Sequence, residues 1–149
     1  MGSMGTPRTA TTRRSVLVVA ALLAGACSGA TGPEGAFDFE TREVFGFPSL
    51  VPQAKVVNGG DIQFTGLIIT PTTNYSVVGQ LARPTSRSVV VTVLGTPSQT
   101  GGAKFDTQNY FAATVKNLHK GSYDVRLIFI VESTERDSTD VLHQSVAVP

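Results

Sequence analysis

The chain has 149 residues, of which valine and threonine supply 37, while 15% are charged and tryptophan is absent. This composition is typical of a β-rich globular fold and argues against a disordered chain. The single cysteine excludes an intramolecular disulfide and a thiolate cluster, and the formal net charge of +1 offers no basic face for nucleic acid.

Residues 1–26 have the organisation of an export signal. Three arginines and no acidic residue precede an apolar run, Val16–Ala24, and small residues follow it. The run is too short to cross a membrane, because a spanning helix needs about 20 apolar residues. The sequence therefore predicts a signal peptide that is removed between Ala26 and Cys27.

The last residues of this signal, Leu23-Ala24-Gly25-Ala26-Cys27, resemble a bacterial lipobox. The resemblance implies that the Cys27 sulfur is acylated before cleavage, and that the acyl chains, palmitate among them, anchor the protein on a membrane without spanning it. An ordinary secretion signal is the alternative. It is cut at the same bond, because Ala24 and Ala26 are both small.

The lipobox resemblance places the protein in the bacterial cell envelope, facing the periplasm or the cell exterior. In enterobacterial lipoproteins an aspartate after the cysteine retains the protein at the inner membrane, so Ser28 implies the outer membrane in a cell that has two. Residues 12–17, Thr-Arg-Arg-Ser-Val-Leu, also resemble a twin-arginine signal, which implies export after folding. Residues 1–6 fit an N-myristoylation pattern, but an export signal follows them directly.

The remaining chain divides into a tether and one domain. Residues 27–36 are predicted to be the lipidated cysteine and a flexible tether, because this segment has almost nothing to bury. Residues 37–149 are predicted to be a single folded domain. Without residues 1–26 the chain keeps nine basic and eleven acidic side chains, a net charge of −2.

From Phe37 onward the apolar residues alternate with a period of two, which predicts strands and no helix. Six to eight strands are predicted. Six lie near residues 62–69, 75–81, 89–94, 111–118, 123–131 and 141–148, and the segments 37–45 and 54–57 are candidate edge strands. The strand at 89–94 is apolar on both faces and is expected to be central and covered on both sides. We therefore predict an all-β fold, an antiparallel immunoglobulin-like β-sandwich of about seven strands.

Residues 118–125, Leu-His-Lys-Gly-Ser-Tyr-Asp-Val, resemble the L-x-x-G-x-Y-x-V corner of fibronectin type III and other immunoglobulin-like domains of exported bacterial proteins. The resemblance implies structural roles for three residues. Leu118 ends a strand inside the core, Gly121 takes a backbone conformation closed to most residues, and the Tyr123 hydroxyl bonds back to the preceding loop. Barrel-like and transthyretin-like sandwiches use similar corners, so the topology stays open at this point.

No catalytic pattern is present in the sequence. His119 and His143 are the only histidines, and there is no G-x-S-x-G elbow, H-E-x-x-H pair or phosphate-binding glycine loop. The acidic stretch from Glu132 to Asp140 lacks the spacing and glycine of a calcium loop and is predicted to be a solvated hairpin. We therefore predict no enzyme activity, no metal and no cofactor.

Two segments are candidates for partner binding. Phe45 and Phe47 alternate with Gly46 and Pro48, and this segment either displays its aromatic rings or packs over the open end of the sandwich. Gly101 and Gly102 lie in a long polar connection, 95–107.

The sequence predicts a non-enzymatic exported lipoprotein whose β-sandwich binds a protein or glycan partner at the cell envelope. The alternative function is a secreted regulator, such as a protease inhibitor or an accessory subunit of a membrane complex that inserts the 95–107 loop into a larger assembly. Neither function involves nucleic acid.

Overall fold

A computed structural model of the chain describes residues 34–46, 49–98, 105–132 and 136–149. All of the regular structure in these residues is β, in agreement with the predicted all-β class. The strands are β1 (Ala36–Val44), β2 (Gln53–Val57), β3 (Asp61–Thr70), β4 (Tyr75–Ala82), β5 (Ser88–Pro97), β6 (Thr107–Lys116), β7 (Gly121–Glu132) and β8 (Arg136–Val148).

These eight strands, rather than about seven, form two four-stranded sheets. Sheet A has the order β1-β6-β3-β2, and sheet B has the order β4-β5-β7-β8. Inward-facing residues of both sheets join in one hydrophobic core, an arrangement consistent with a β-sandwich. Gly66 allows a close approach within this core, because a Cβ there would lie 2.9 Å from the ring of Phe111.

The prediction of a wholly antiparallel sandwich is wrong at one pair of strands. β5 and β7 run parallel, with Val89 opposite Val125 and Gly95 opposite Val131. Parallel neighbours need a crossover connection, and here β6 in the opposite sheet carries the chain back between them. Both sheets of an immunoglobulin domain are antiparallel, so this pair distinguishes the two topologies. Alternation along a strand indicates its faces but not the direction of its neighbour.

The central strands bury one face completely and the other in part. Along β5, Val89, Val91 and Val93 are fully buried in the core. Val90 and Leu94 point the other way and are only partly covered. β5 is therefore a central strand of sheet B, as predicted. Its outer face was also expected to be covered, but none of the residues that the structure describes form a layer over it.

The sandwich has two ends. The corner end contains Gly35, which donates its N–H to Lys116 O at 2.8 Å, and the β6–β7 connection, where the Leu118 N–H donates to Gly60 O at 2.8 Å. The distal end contains the last residues of β1, β3, β5 and β7 and the first of β6. Because β3 and β6 each have ten residues, the two ends are about 30 Å apart.

Candidate functional site

The predicted corner is a structural feature at the corner end. Leu118 and Tyr123 are buried, and the Tyr123 hydroxyl donates a hydrogen bond to the carbonyl of His119 at 2.8 Å. Gly121 has φ +144°, a conformation that L side chains rarely adopt. The Tyr123 bond and the Gly121 conformation are those that the resemblance implies, whereas Leu118 is buried but follows β6, which ends at Lys116.

Arg87 completes the corner from a distant part of the chain. Its guanidinium lies 5.1 Å from the centre of the Tyr123 ring and donates to Lys120 O at 3.0 Å. A Cβ at position 121 would collide with this guanidinium. Sequence reasoning missed Arg87, because no local pattern links it to a corner more than 30 residues later.

The first described side chain is also fixed to this end. Glu34 accepts a hydrogen bond from Arg83 Nη2 at 3.1 Å, and its other carboxylate oxygen lies 3.0 Å from His119 Nδ1. The hydrogen bond with His119, followed by that with Arg83, lowers the pKa of Glu34 below its usual value. The segment that leads toward Cys27 therefore leaves the domain at the corner end.

Exposed apolar side chains gather at the distal end. Phe45 is 85% exposed, Phe105 56% and Ile69 55%, and all three line one groove of about 320 Å³. We call it the distal groove. Large apolar residues that are exposed together mark interaction sites more often than singly exposed ones do. Phe45 is thus displayed rather than packed over the end of the sandwich.

The strand register places polar and apolar side chains together in this groove, whose lining also includes Glu43 and Asp106. Gln108 lies between Val44 of β1 and Ile69 of β3 on the outer face of sheet A. The Oε1 atom of Gln108 is buried and has no hydrogen-bond partner among the residues that the structure describes. It is an unsatisfied buried acceptor within those residues, an uncommon feature in a folded protein.

Sequence reasoning missed two of the three exposed apolar members of the distal groove, Ile69 and Phe105. The sequence does contain an indication of Ile69, because this isoleucine lies on the same face of β3 as the polar residues Gln63 and Thr65. Phe105 has none, because it precedes β6 in an irregular segment where alternation carries no information.

A second hollow, of about 350 Å³, opens on the side of the sandwich near the distal groove and shares Ile69 with it. We call it the side hollow, and it lies between β3 and the parts of β7 and β8 that are nearer the distal end. Its lining residues are Leu67, Ile68, Ile69, Phe129, Val131, Thr139 and Val141.

The two histidines lie on open surface. His143 Nε2 is 2.7 Å from Asp124 Oδ1 on the outer face of sheet B, and more than half of each side chain is exposed. On the same face the Ser122 and Ser145 hydroxyls bond to each other at 2.8 Å. Within the described ranges no three His, Cys, Asp or Glu side chains are grouped as metal ligands. These pairs offer no enclosed site for chemistry.

The other predicted site residues, Cys27, Phe47, Gly101 and Gly102, lie outside the described residues. The connection that contains the two glycines leaves β5 at the distal end, where the Ser98 N–H donates to Asn74 O at 2.7 Å, and rejoins the described chain at Phe105. In the part of the chain that the structure covers, no helix could cross a membrane.

No protein-family model matches the chain, and searches of curated proteins and of solved structures found no match.

Proposed function

We propose that this protein is a non-enzymatic exported lipoprotein, anchored to a membrane of the bacterial cell envelope through Cys27, whose β-sandwich binds a protein or glycan partner with its distal end. The observation that carries the proposal is the grouping of Phe45, Ile69 and Phe105 in one exposed groove.

The positions of the two ends support this proposal. Glu34 fixes the start of the domain to the corner end through Arg83 and His119. The distal groove lies at the other end, so an anchored protein presents the groove to partners about 30 Å from its attachment point.

A partner that covers these side chains gains part of the burial energy of each, since Phe105 and Ile69 are already about half covered. Burial of a phenylalanine or isoleucine side chain that was exposed contributes about 1.5–3 kcal/mol. Three such side chains in one groove form the kind of cluster that dominates binding energy in protein interfaces.

The immunoglobulin-like relationship is proposed only for the corner. The buried Tyr123, its bond to His119 O and the positive φ of Gly121 support it there. The parallel β5–β7 pair sets the remaining topology apart from that family.

Intact mass spectrometry of detergent-extracted protein tests the anchor. We expect a chain that begins at Cys27 and carries added acyl chains, and a Cys27→Ser variant that carries none. An unmodified Cys27 or a retained leader contradicts the anchor but leaves the distal groove as a binding site.

A Phe45→Ser/Phe105→Ser double variant tests the binding surface. We expect it to lose most of the capture of an envelope component that the wild-type protein shows after cross-linking. Val78→Ser is the matched control, because Val78 is also an exposed apolar residue, 40% exposed, but lies outside the groove. Equal capture by all three proteins contradicts the proposal, and protease treatment of the captured material distinguishes a protein from a glycan.

The secreted regulator remains a second candidate function. It is supported by the position of the β5–β6 connection, whose two ends both lie at the distal end beside Phe105. Shortening residues 99–104 should abolish partner capture if this loop inserts into a larger complex. Unchanged capture by the shortened protein contradicts loop insertion.

A further inference from the structure

The edge of sheet A beside β8 is only partly covered by β2. The ladder between β2 and β3 ends at the pair Gln53–Thr65. In the described ranges, Gly66–Thr70 pairs with β6 on one side and with no strand on the other. β2 stops here because Pro52 has no N–H with which to continue the ladder. We call Gly66–Thr70 the free edge. Pro52 lies beside Gly66 at its start, and no strand pairs with residues 67–70 on this side in the part of the chain that the structure describes.

The side hollow lies directly along this free edge. Leu67 and Ile69 line it from sheet A, and Phe129, Val131 and Val141 line it from sheet B. The three sheet B residues pack against the hydrophobic core without being fully covered. An aliphatic side chain inserted between the sheets here would extend the hydrophobic core, because its apolar surface would be removed from water.

β2 shows which kind of segment fits this position. Its alternate residues Ala54 and Val56 pack against the core, and the carbonyl of Ala54 accepts a hydrogen bond from Gln144 Nε2 at 2.8 Å. A strand that lies beside β3 therefore bridges the two sheets. The side hollow is the continuation of the position that β2 occupies.

The free edge also lacks the protection that another edge of the sheet has. β1, the opposite edge of sheet A, carries Asp38, Glu40, Arg42 and Glu43, and charged residues prevent edge-to-edge pairing. The free edge has the sequence Gly-Leu-Ile-Ile-Thr and no charge. An uncharged apolar edge of this kind is a template for another strand.

We propose that an extended segment of a partner protein adds to sheet A along Gly66–Thr70, antiparallel to β3, and places alternate aliphatic side chains in the side hollow. Its other side chains lie beside Ile69, where the side hollow meets the distal groove of Phe45 and Phe105. Backbone hydrogen bonds supply affinity, and the hollow selects the side chains. The inference rests on the proposed function only in that the partner is a protein.

Selection of a random display library of peptides of about ten residues on the mature protein tests strand addition. We expect the enriched peptides to alternate aliphatic and polar residues, and the bound peptide to slow hydrogen exchange of amides within Gly66–Thr70. Failure to enrich peptides, enrichment without alternation, or protection confined to another region overturns the proposal.

Two tryptophan variants locate the selected peptide. Thr139 is exposed and lines the side hollow, while its neighbour Ser138 is exposed and points to the opposite face of β8. We expect Thr139→Trp to fill the hollow and raise the peptide Kd about tenfold, and Ser138→Trp to change it less than about twofold. Equal effects of the two variants overturn the proposal, once urea unfolding shows that both are folded.

The two sets of variants distinguish a failure of strand addition from a failure of the proposed function. If Phe45→Ser/Phe105→Ser abolishes partner capture while Thr139→Trp leaves it unchanged, strand addition is wrong and the distal groove remains the binding surface. If both variants abolish capture, the strand and the groove belong to one interface.

Discussion

At the scale of single residues, the best-defined feature is the corner around Tyr123. The ring is fully buried and its one polar atom is satisfied by His119 O at 2.8 Å. The neighbouring Arg87 packs on the ring and binds the loop carbonyls. Because a buried hydroxyl without a partner is costly, this bond orders the His119–Gly121 loop as well as the ring.

We expect Tyr123→Phe to lower the free energy of unfolding by about 0.5–1.5 kcal/mol, the net contribution of one hydrogen bond. Tyr110→Phe is the matched control, since Tyr110 stacks with Arg42 and its hydroxyl has no hydrogen bond within the described residues. Urea unfolding measures both differences. A loss at Tyr110 equal to that at Tyr123 would show that the His119 bond has no specific role.

At the scale of elements, the alternation of apolar residues predicted the position and the buried face of each strand. It did not predict which strands pair or in which direction they run. β3, β6 and β7 were predictable because Phe64, Phe111 and Tyr123 stand in unbroken period-two patterns. The parallel direction of β5 and β7 was not, since it depends on β6 crossing to the other sheet. The candidate site shows the same limit. Phe45 was found from its glycine and proline neighbours, but its association with Phe105 depends on the tertiary fold.

The contact between β1 and β4 gives an element-scale test. Gly79 of β4 lies under the ring of Phe39 of β1, and a Cβ at this position would collide with that ring. We expect Gly79→Ala to lower the free energy of unfolding by about 1–3 kcal/mol, because the sheets cannot separate without loss of core packing.

Gly60→Ala is the control for this substitution. A Cβ at Gly60 meets only Leu118 O, at an ordinary contact of 3.5 Å. The restricted unfolded chain makes this change neutral or stabilising by up to about 1 kcal/mol. Urea unfolding of both variants separates crowding at Phe39 from the general effect of replacing glycine, and an equal response would exclude crowding.

At the scale of the whole molecule, attachment and recognition are separated along the strand axis. The corner end holds the start of the domain through Glu34, and the distal end presents Phe45, Ile69 and Phe105. Binding at the distal groove therefore need not disturb the attachment. Conversely, loss of the Glu34 contacts with Arg83 and His119 should loosen the start of the domain at the corner end. It should leave the distal groove unchanged.

The lowered pKa of Glu34 makes this attachment dependent on acid. Since the folded-state pKa lies below the ordinary value of 4.5, the Glu34 interactions stabilise the folded state fully above that value and are lost as the pH falls through the lower folded-state pKa. We expect Glu34→Gln to be less stable than wild type at neutral pH and the difference to shrink under strongly acidic conditions. Urea unfolding across pH measures it.

Asp38→Asn is the matched control, because Asp38 is a carboxylate of the same segment that pairs with Lys116 rather than with His119 and Arg83. Hydrogen exchange of the Gly35 amide, which donates to Lys116 O, gives a local readout. We expect this amide to exchange faster in Glu34→Gln at neutral pH, while amides at the distal groove are unchanged. A difference between wild type and Glu34→Gln that persists undiminished at low pH would contradict a role for the Glu34 carboxylate, since that group is then protonated in both states of the wild-type chain.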